Sequence, residues 1–247
     1  MTVPKPGSCD EDEGDDVCPP MINSLPTLGA AKSSIFLAGL EQSATQAVLS
    51  AAQIRSIPAK RQIISGGLPA THFFLLDSGQ AQYYHLTKEG ESVLVAWLVP
   101  GDVMGLMALL DSASTYMASA EATSDCELLV WEHSVIRKLV AHHPLLAENS
   151  LRLALNYLRN YVERHVGLTT KNAQQRLADT LLSLADQSGK IHPDGIEISA
   201  TNDQLGALAN ISRFTASHML SDWARSRILS KERGRVILHA PEALMID

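Results

Sequence analysis

Within residues 201–220, TNDQLGALANISRFTASHML, three side chains stand together whose chemistry suits a nucleic-acid duplex: Ser212, Arg213 and Thr215. An arginine fork can donate two parallel hydrogen bonds to guanine, and a threonine can touch a phosphate or a thymine methyl. Phe214, between them, cannot accept from a cytosine amino group but can pack on a thymine methyl. Such groups enter a major groove only if they project from the start of a helix, so the surrounding residues decide whether they can work together.

The surroundings supply that helix start. Thr201 can cap a first helix, and Gln204 three residues later completes a capping box, each side chain satisfying an orphan backbone donor. Leu205, Leu208 and Ala209 give an inward apolar face, and Gly206 lets a partner helix approach closely. Asn210 falls where a left-handed turn residue is wanted, and Ser212 is a second N-cap. A plain helical hairpin from a protein core would show the same caps, and the flanks separate the two cases. Ile228 and Leu229 lead into a short hairpin. Residues 205–240 carry Arg213, Arg225, Arg227, Lys231, Arg233 and Arg235 against only Asp222 and Glu232, in a chain of net charge −7. A basic patch beside such a helix suits phosphate contacts. The pattern predicts a winged helix-turn-helix, with Arg233 and Arg235 on the wing.

Elsewhere the acids dominate. Residues 1–20 hold Asp10, Glu11, Asp12, Glu13, Asp15 and Asp16 against Lys5, and residues 1–25 read as a disordered acidic tail. The 247 residues, 45% hydrophobic, are enough for two domains with real cores. No stretch approaches the roughly 18 apolar residues of a membrane span, and no signal segment opens the chain, so a cytoplasmic protein with no membrane partner is expected. Cys9, Cys18 and Cys126 are too few for a disulfide scaffold and lack zinc-site spacing, which leaves free thiols.

Taken in order, residues 33–53 suggest one or two short helices. Residues 54–132 then change to short apolar runs between turns: IRSIPAKRQIISGG, THFFLLDSG, QAQYYHLTKEG, ESVLVAWLVPGD and DCELLVWEH. A small antiparallel β-roll follows, jelly-roll-like, with a one-turn helix at residues 106–110. Residues 143–167 form a long amphipathic helix in which Leu151, Leu155, Leu158 and Val162, then His165 or Val166, step at the spacing of a coiled-coil seam. Leu153, Tyr157 and Tyr161 are left to pack on the roll, and LTTK at 168–171 reads as a hinge. The expected class is α+β. Its divisions are a β-roll sensor domain at 26–141, a dimerisation helix at 142–168 and a winged helix-turn-helix at 169–247.

β-roll, long helix and winged helix-turn-helix in this order resemble the Crp–Fnr superfamily of bacterial transcription regulators over about residues 30–240. The likeness is carried by Thr201, Gln204, Leu205 and Gly206 followed by Ser212, Arg213 and Thr215, by PGDVMG at 100–105, and by TTKNAQQRLADTLLSLA. It implies a homodimer reading an inverted repeat in double-stranded DNA, with RNA polymerase as a further partner. Arg213 matches the guanine-reading arginine, and Ser212 and Thr215 match backbone-contacting positions. Phe214 replaces a common glutamate and His218, beside Ser217, a common arginine, so an operator unlike the usual family sequence is expected.

The resemblance also implies an effector pocket at Gly105, Leu106, Met107, Leu109, Leu110, Tyr116 and Met117. Leu106 falls where cyclic-nucleotide-binding members hold the ribose with glutamate, and Tyr116 at or beside their phosphate-holding arginine. A buried cyclic phosphate would stay unpaired there, which disfavours cyclic AMP. Three cysteines cannot hold a four-cysteine iron–sulfur cluster. Tyr116-Met-Ala-Ser-Ala resembles members that respond to nitric oxide through haem, so haem is one candidate, with axial ligands among His72, His85, His133, His142, His143 and His165. The effector itself stays unidentified. Two rival readings are a regulatory subunit acting on a protein partner and a cupin-like enzyme. The first is disfavoured by the Ser212–Arg213–Thr215 start and the basic wing. Absence of an H-x-H pair, a G-x-S-x-G elbow and a phosphate-binding Gly-Lys loop disfavours the second.

Overall fold

A computed structural model describes residues 29–110 and 114–245. The acidic stretch at 1–25, with Cys9 and Cys18, lies outside the described residues.

Two 3₁₀ turns, Ala31–Ser33 and Ile35–Leu37, and helix α1 (Gln42–Ser50) precede eight strands. These are β1 (Gln53–Ile57), β2 (Gln62–Ile64), β3 (His72–Ser78), β4 (Ala81–Leu86), β5 (Ser92–Leu98), β6 (Val103–Met104), β7 (Ser119–Ala122) and β8 (Cys126–Glu132). They form two antiparallel four-stranded sheets, ordered β1-β8-β3-β6 and β2-β7-β4-β5. Central β3 carries the apolar run Phe73 to Leu76 because both of its faces are buried there, and Asp77 after it is buried too. Its Phe73 pairs across the ladder with Trp131 and lies 4.7 Å from Phe36, ring centre to ring centre. Trp131 is fully buried, and its indole N–H reaches the Val48 carbonyl at 2.9 Å, binding α1 to the roll. The expected one-turn helix is a 3₁₀ turn over Leu106–Leu109.

Helix α2 (His133–His142) leads into α3 (Pro144–Thr170), a rod of 27 residues, about 40 Å long at 1.5 Å per residue. Pro144 sits in its first turn, where the missing N–H costs nothing. One face lies on the roll through Leu146, Asn149, Ser150 and Leu153, and the Tyr157 hydroxyl donates to the Val103 carbonyl. Tyr161 does not join them. It is exposed and stacks instead on His165 one turn later. Leu151, Leu155, Leu158, Val162 and Val166 form an exposed apolar line on another face, Leu155 being 54% exposed.

The helix also runs further than its sequence suggests. LTTK is helical through Thr170, with the hydroxyls of Thr169 and Thr170 bonding back to the Val166 carbonyl, and the joint falls at Lys171 and Asn172.

Beyond the joint come α4 (Ala173–Ser188), β9 (Lys190–His192), β10 (Gly195–Ile198), α5 (Asn202–Ala209), α6 (Arg213–Arg225), β11 (Leu229–Glu232) and β12 (Arg235–Leu238). The four strands pair in the order β11-β12-β10-β9. Leu177, Leu181, Leu205, Leu220 and Trp223 build a second core, and two roll residues, Trp97 and Val99, belong to it. Edge strand β5 is thus covered by the C-terminal unit at one end, while Arg164 of α3 donates to its Val95 carbonyl. Among the described residues no helix is long and apolar enough to cross a membrane.

Candidate nucleic-acid interface

Both caps form as their residue types predict. Thr201 accepts from the Gln204 amide at 3.3 Å while the Gln204 side chain accepts from the Thr201 amide at 2.6 Å. Asn210 adopts φ 51°, ψ 53°, the left-handed conformation that turns the chain between α5 and α6. Gly206 lies under that turn. A Cβ there would sit 2.9 Å from the Ile211 carbonyl oxygen and 3.3 Å from the Arg213 amide nitrogen, so only hydrogen fits comfortably. The Ser212 hydroxyl then accepts from the Thr215 amide at 3.0 Å and shares a 2.8 Å contact with the Thr215 hydroxyl, opening α6.

Along α6, Ala216, Leu220 and Trp223 are buried, and this 4–3 spacing aims the opposite face outward. Phe214 (72% exposed) and His218 stand on that face, and Arg213 is exposed as the first residue of the helix. The Arg213 guanidinium carbon lies 4.7 Å over the Phe214 ring, and its Nη1 is 3.9 Å from the Asp203 carboxylate at the start of α5. His218 Nδ1 is 3.2 Å from Asp222, which also receives Arg225.

The other basic residues divide. Lys231 of β11 donates to the Ser217 carbonyl and the Ser221 hydroxyl, with Ser217 Oγ at 3.4 Å, and braces α6 from behind. Arg235 of β12 is held between Glu232 and Glu197, whose carboxylates raise its already high affinity for its proton. It shapes the wing with its charge matched. Arg233 is exposed in the hairpin turn, beside Gly234 at φ 76°. Spacing alone could not separate these roles, because Glu197 lies 38 residues before Arg235.

In the roll, Gly105 has φ 78° and closes tightly. A Cβ there would lie 2.7 Å from the His72 carbonyl oxygen. Its amide donates to the Tyr83 hydroxyl at 3.1 Å. Tyr116 is 9% exposed, and its hydroxyl donates to the His72 carbonyl at 3.0 Å and accepts from the His72 amide at 2.9 Å. Leu106, Met107 and Leu109 pack partly on the core, whereas Leu110 is exposed and Met117 is 78% exposed. The structure therefore packs Leu106, Met107, Leu109 and Tyr116, with buried Gly105, against the core of the roll and leaves Leu110 and Met117 exposed. Burial pushes the Tyr83 phenol far up and lifts the Asp102 carboxyl, which accepts from the Val99 amide, to about 6.

The histidines that could serve as an axial haem ligand lie at or near the surface. None of those described is buried. His133 and His142 each contact a backbone carbonyl, of Leu110 and Lys138 respectively, and His165 stacks outside on Tyr161. Among the described residues no cluster of three or more His, Cys, Asp or Glu could hold a metal.

Arg176 is a residue that sequence reasoning passed over. Its guanidinium reaches the carbonyls of Lys171, Ala209 and Asn210, which only the folded chain brings together.

A sensor-type roll, a long helix and a capped, outward-facing reading helix with its wing define a DNA-binding transcription regulator rather than an enzyme. Residues 54–143 match the cyclic nucleotide-binding domain family, and residues 175–245 match the Crp-like helix-turn-helix domain family. The chain is 26% identical over 193 residues to the cAMP-activated global transcriptional regulator CRP of Pasteurella multocida, spanning 77% of this chain and 92% of that one. It is 26% identical over 203 residues to the anaerobic regulatory protein of Bacillus subtilis, spanning 78% and 85%. Its fold is similar to that of FixK2 from Bradyrhizobium japonicum, with a TM-score of 0.69 at 21% identity over 78% of this chain and 95% of that one. The chain belongs to the Crp–Fnr family of transcription regulators.

Proposed function

We propose that the protein is a homodimeric, sequence-specific regulator. Two copies pair along Leu151, Leu155, Leu158 and Val162 of α3 and set their α6 helices in successive major grooves of an inverted repeat, about 34 Å apart. The observation that carries this is the start of α6: a Ser212-capped first turn facing solvent with Arg213 and Phe214 foremost. Arg213 takes guanine, Phe214 a neighbouring thymine methyl, and His218 and Ser217 the bases or backbone further along. Thr201, Ser212, Thr215 and the wing-tip Arg233 meet phosphates, while Arg235 keeps the wing in shape.

The working units are a sensor at 26–141, the pairing helix at 142–168 and the reading domain at 169–247. The effector is a small uncharged molecule seated against Gly105, Leu106, Met107, Leu109 and Tyr116. A cyclic phosphate placed there would lose water without gaining a cation, which costs at least several kcal/mol. By linkage the effector must favour one arrangement of the reading domains over another. Trp97, Val99 and Arg164 support that coupling, since they tie β5 to the C-terminal core and to the rod. The regulator acts in the cytoplasm, with RNA polymerase as its further partner.

Selection from random duplexes, followed by gel-shift titration at several salt concentrations, tests the proposal. An enriched inverted repeat with guanine in each half, bound more weakly as salt rises, is expected. A pool with no enriched sequence would refute it.

A further inference from the structure

We propose that Arg176 is a positioning residue that fixes the separation of the two recognition helices, so that the regulator accepts only one spacing between operator half-sites. This rests on the DNA-reading function above and adds to it how the rod's geometry reaches the reading helix.

Between α3 and α4 the chain leaves the helical conformation for two residues. Lys171 is extended (φ −113°, ψ 143°), and Asn172 is the extended cap of α4. Arg176, one turn into α4, closes this gap with one planar group. Its Nη1 donates to the Lys171 carbonyl at 2.8 Å, just past the last residue of the rod. Its Nε donates to the Ala209 carbonyl at 2.9 Å, and its Nη2 lies 3.4 Å from the Asn210 carbonyl. These last two belong to the turn that carries Ser212 and Arg213. Carbonyls at a helix C-terminus hold partial negative charge, and a rigid fork of donors can serve several in fixed directions, as a lysine ammonium cannot.

The turn is itself stiff, with Asn210 left-handed and Gly206 packed under Ile211. A displacement of the rod's end therefore passes to the first turn of α6. A second tie spans the outer side of the joint, Lys171 Nζ to Asp179 at 2.6 Å, between side chains about half exposed.

For a two-site binder the gain from the second site depends on linker geometry. A stiff linkage concentrates the gain at one separation, and a loose one spreads and lowers it. Full-length wild type, Arg176→Lys and Lys171→Ala are to be titrated on duplexes carrying the same half-sites moved closer or apart by one and two base pairs, and on a single half-site. Thermal melting is recorded alongside. Wild type should favour one spacing by about tenfold or more, and Arg176→Lys should flatten that to about threefold, with half-site affinity kept within about twofold. Lys171→Ala, at an exposed position that spares the fold, should flatten it partly in the same direction.

Spacing ratios unchanged in both variants, with any affinity loss uniform and tracking the melting temperature, would overturn the proposal and make Arg176 merely structural. So would a wild type that binds half-sites with no preferred spacing, although DNA reading would then stand. A wild type that binds no duplex at all would remove the DNA-reading function itself, and this proposal with it.

Discussion

Arg213 leaves the first turn of α6 with its guanidinium 4.7 Å over the Phe214 ring and 3.9 Å from Asp203. An exposed ion pair of that length contributes little, so Asp203 does not hold the arginine away from a base. The ring contact, worth roughly 0.5–1 kcal/mol at an exposed site, orients the fork. Arg213→Ala should weaken operator binding by about 1–3 kcal/mol and erase the preference at one base position, which competition against single-base operator variants will show. Discrimination equal to wild type would contradict the assignment.

Asp102 makes a different prediction. Burial lifts its carboxyl to about 6 against an ordinary 3.8, with the Val99 amide opposing the rise. The native state thus holds this proton more tightly than the unfolded chain does. Its contribution to stability is fullest near pH 4 and below, falls as pH rises towards 6, and leaves a penalty of at most about 3 kcal/mol above that. Asp102→Asn keeps an oxygen for the Val99 amide and removes the charge. Calorimetry across pH 4 to 8 should show the variant melting above wild type at neutral pH, with that falling limb flattened. Parallel melting curves across the range would refute it.

At the scale of elements, the turn between α5 and α6 was legible because each part answers to local backbone chemistry. Thr201 with Gln204 and Ser212 with Thr215 satisfy orphan donors, and Asn210 tolerates positive φ. Asn210→Ala should therefore lower stability by about 1 kcal/mol while Asn210→Gly stays close to wild type, as thermal unfolding will report. Equal effects would mean that the left-handed geometry is not what Asn210 supplies. Other elements were less visible. Strand β7 is SAEA, with no bulky or β-branched residue to announce it, and its Ala120 and Ala122 are buried because the sheet is closely covered there. The run IRSIPAKRQIISGG hides two strands, split by a turn in which Lys60 takes φ 66°. Thr169 and Thr170 are poor helix formers, yet α3 stays helical through both, their hydroxyls bonding back to the Val166 carbonyl.

At the scale of the molecule, the order of roll, rod and reading domain could be read from hydrophobic period together with the caps and turn residues of 201–220. How the parts join could not. Trp97, in strand β5 of the roll, and Val99, just past its end, are buried in the C-terminal core, a contact between segments about a hundred residues apart in sequence. The same holds for the three carbonyls around Arg176. On the proposed pairing, the exposed line through Leu151, Leu155, Leu158 and Val162 is buried against a second copy of itself. Leu155→Glu should place two carboxylates in that seam and yield single chains by light scattering. A dimeric mass would count against the seam.

The pairing of two reading helices on one duplex is tested most directly by weighing the complex in solution. Sedimentation of the wild-type protein with its selected inverted repeat should give two chains per duplex, bound far more tightly than a duplex with one half-site. One chain per duplex, or equal affinity for the whole and the half operator, would contradict the account.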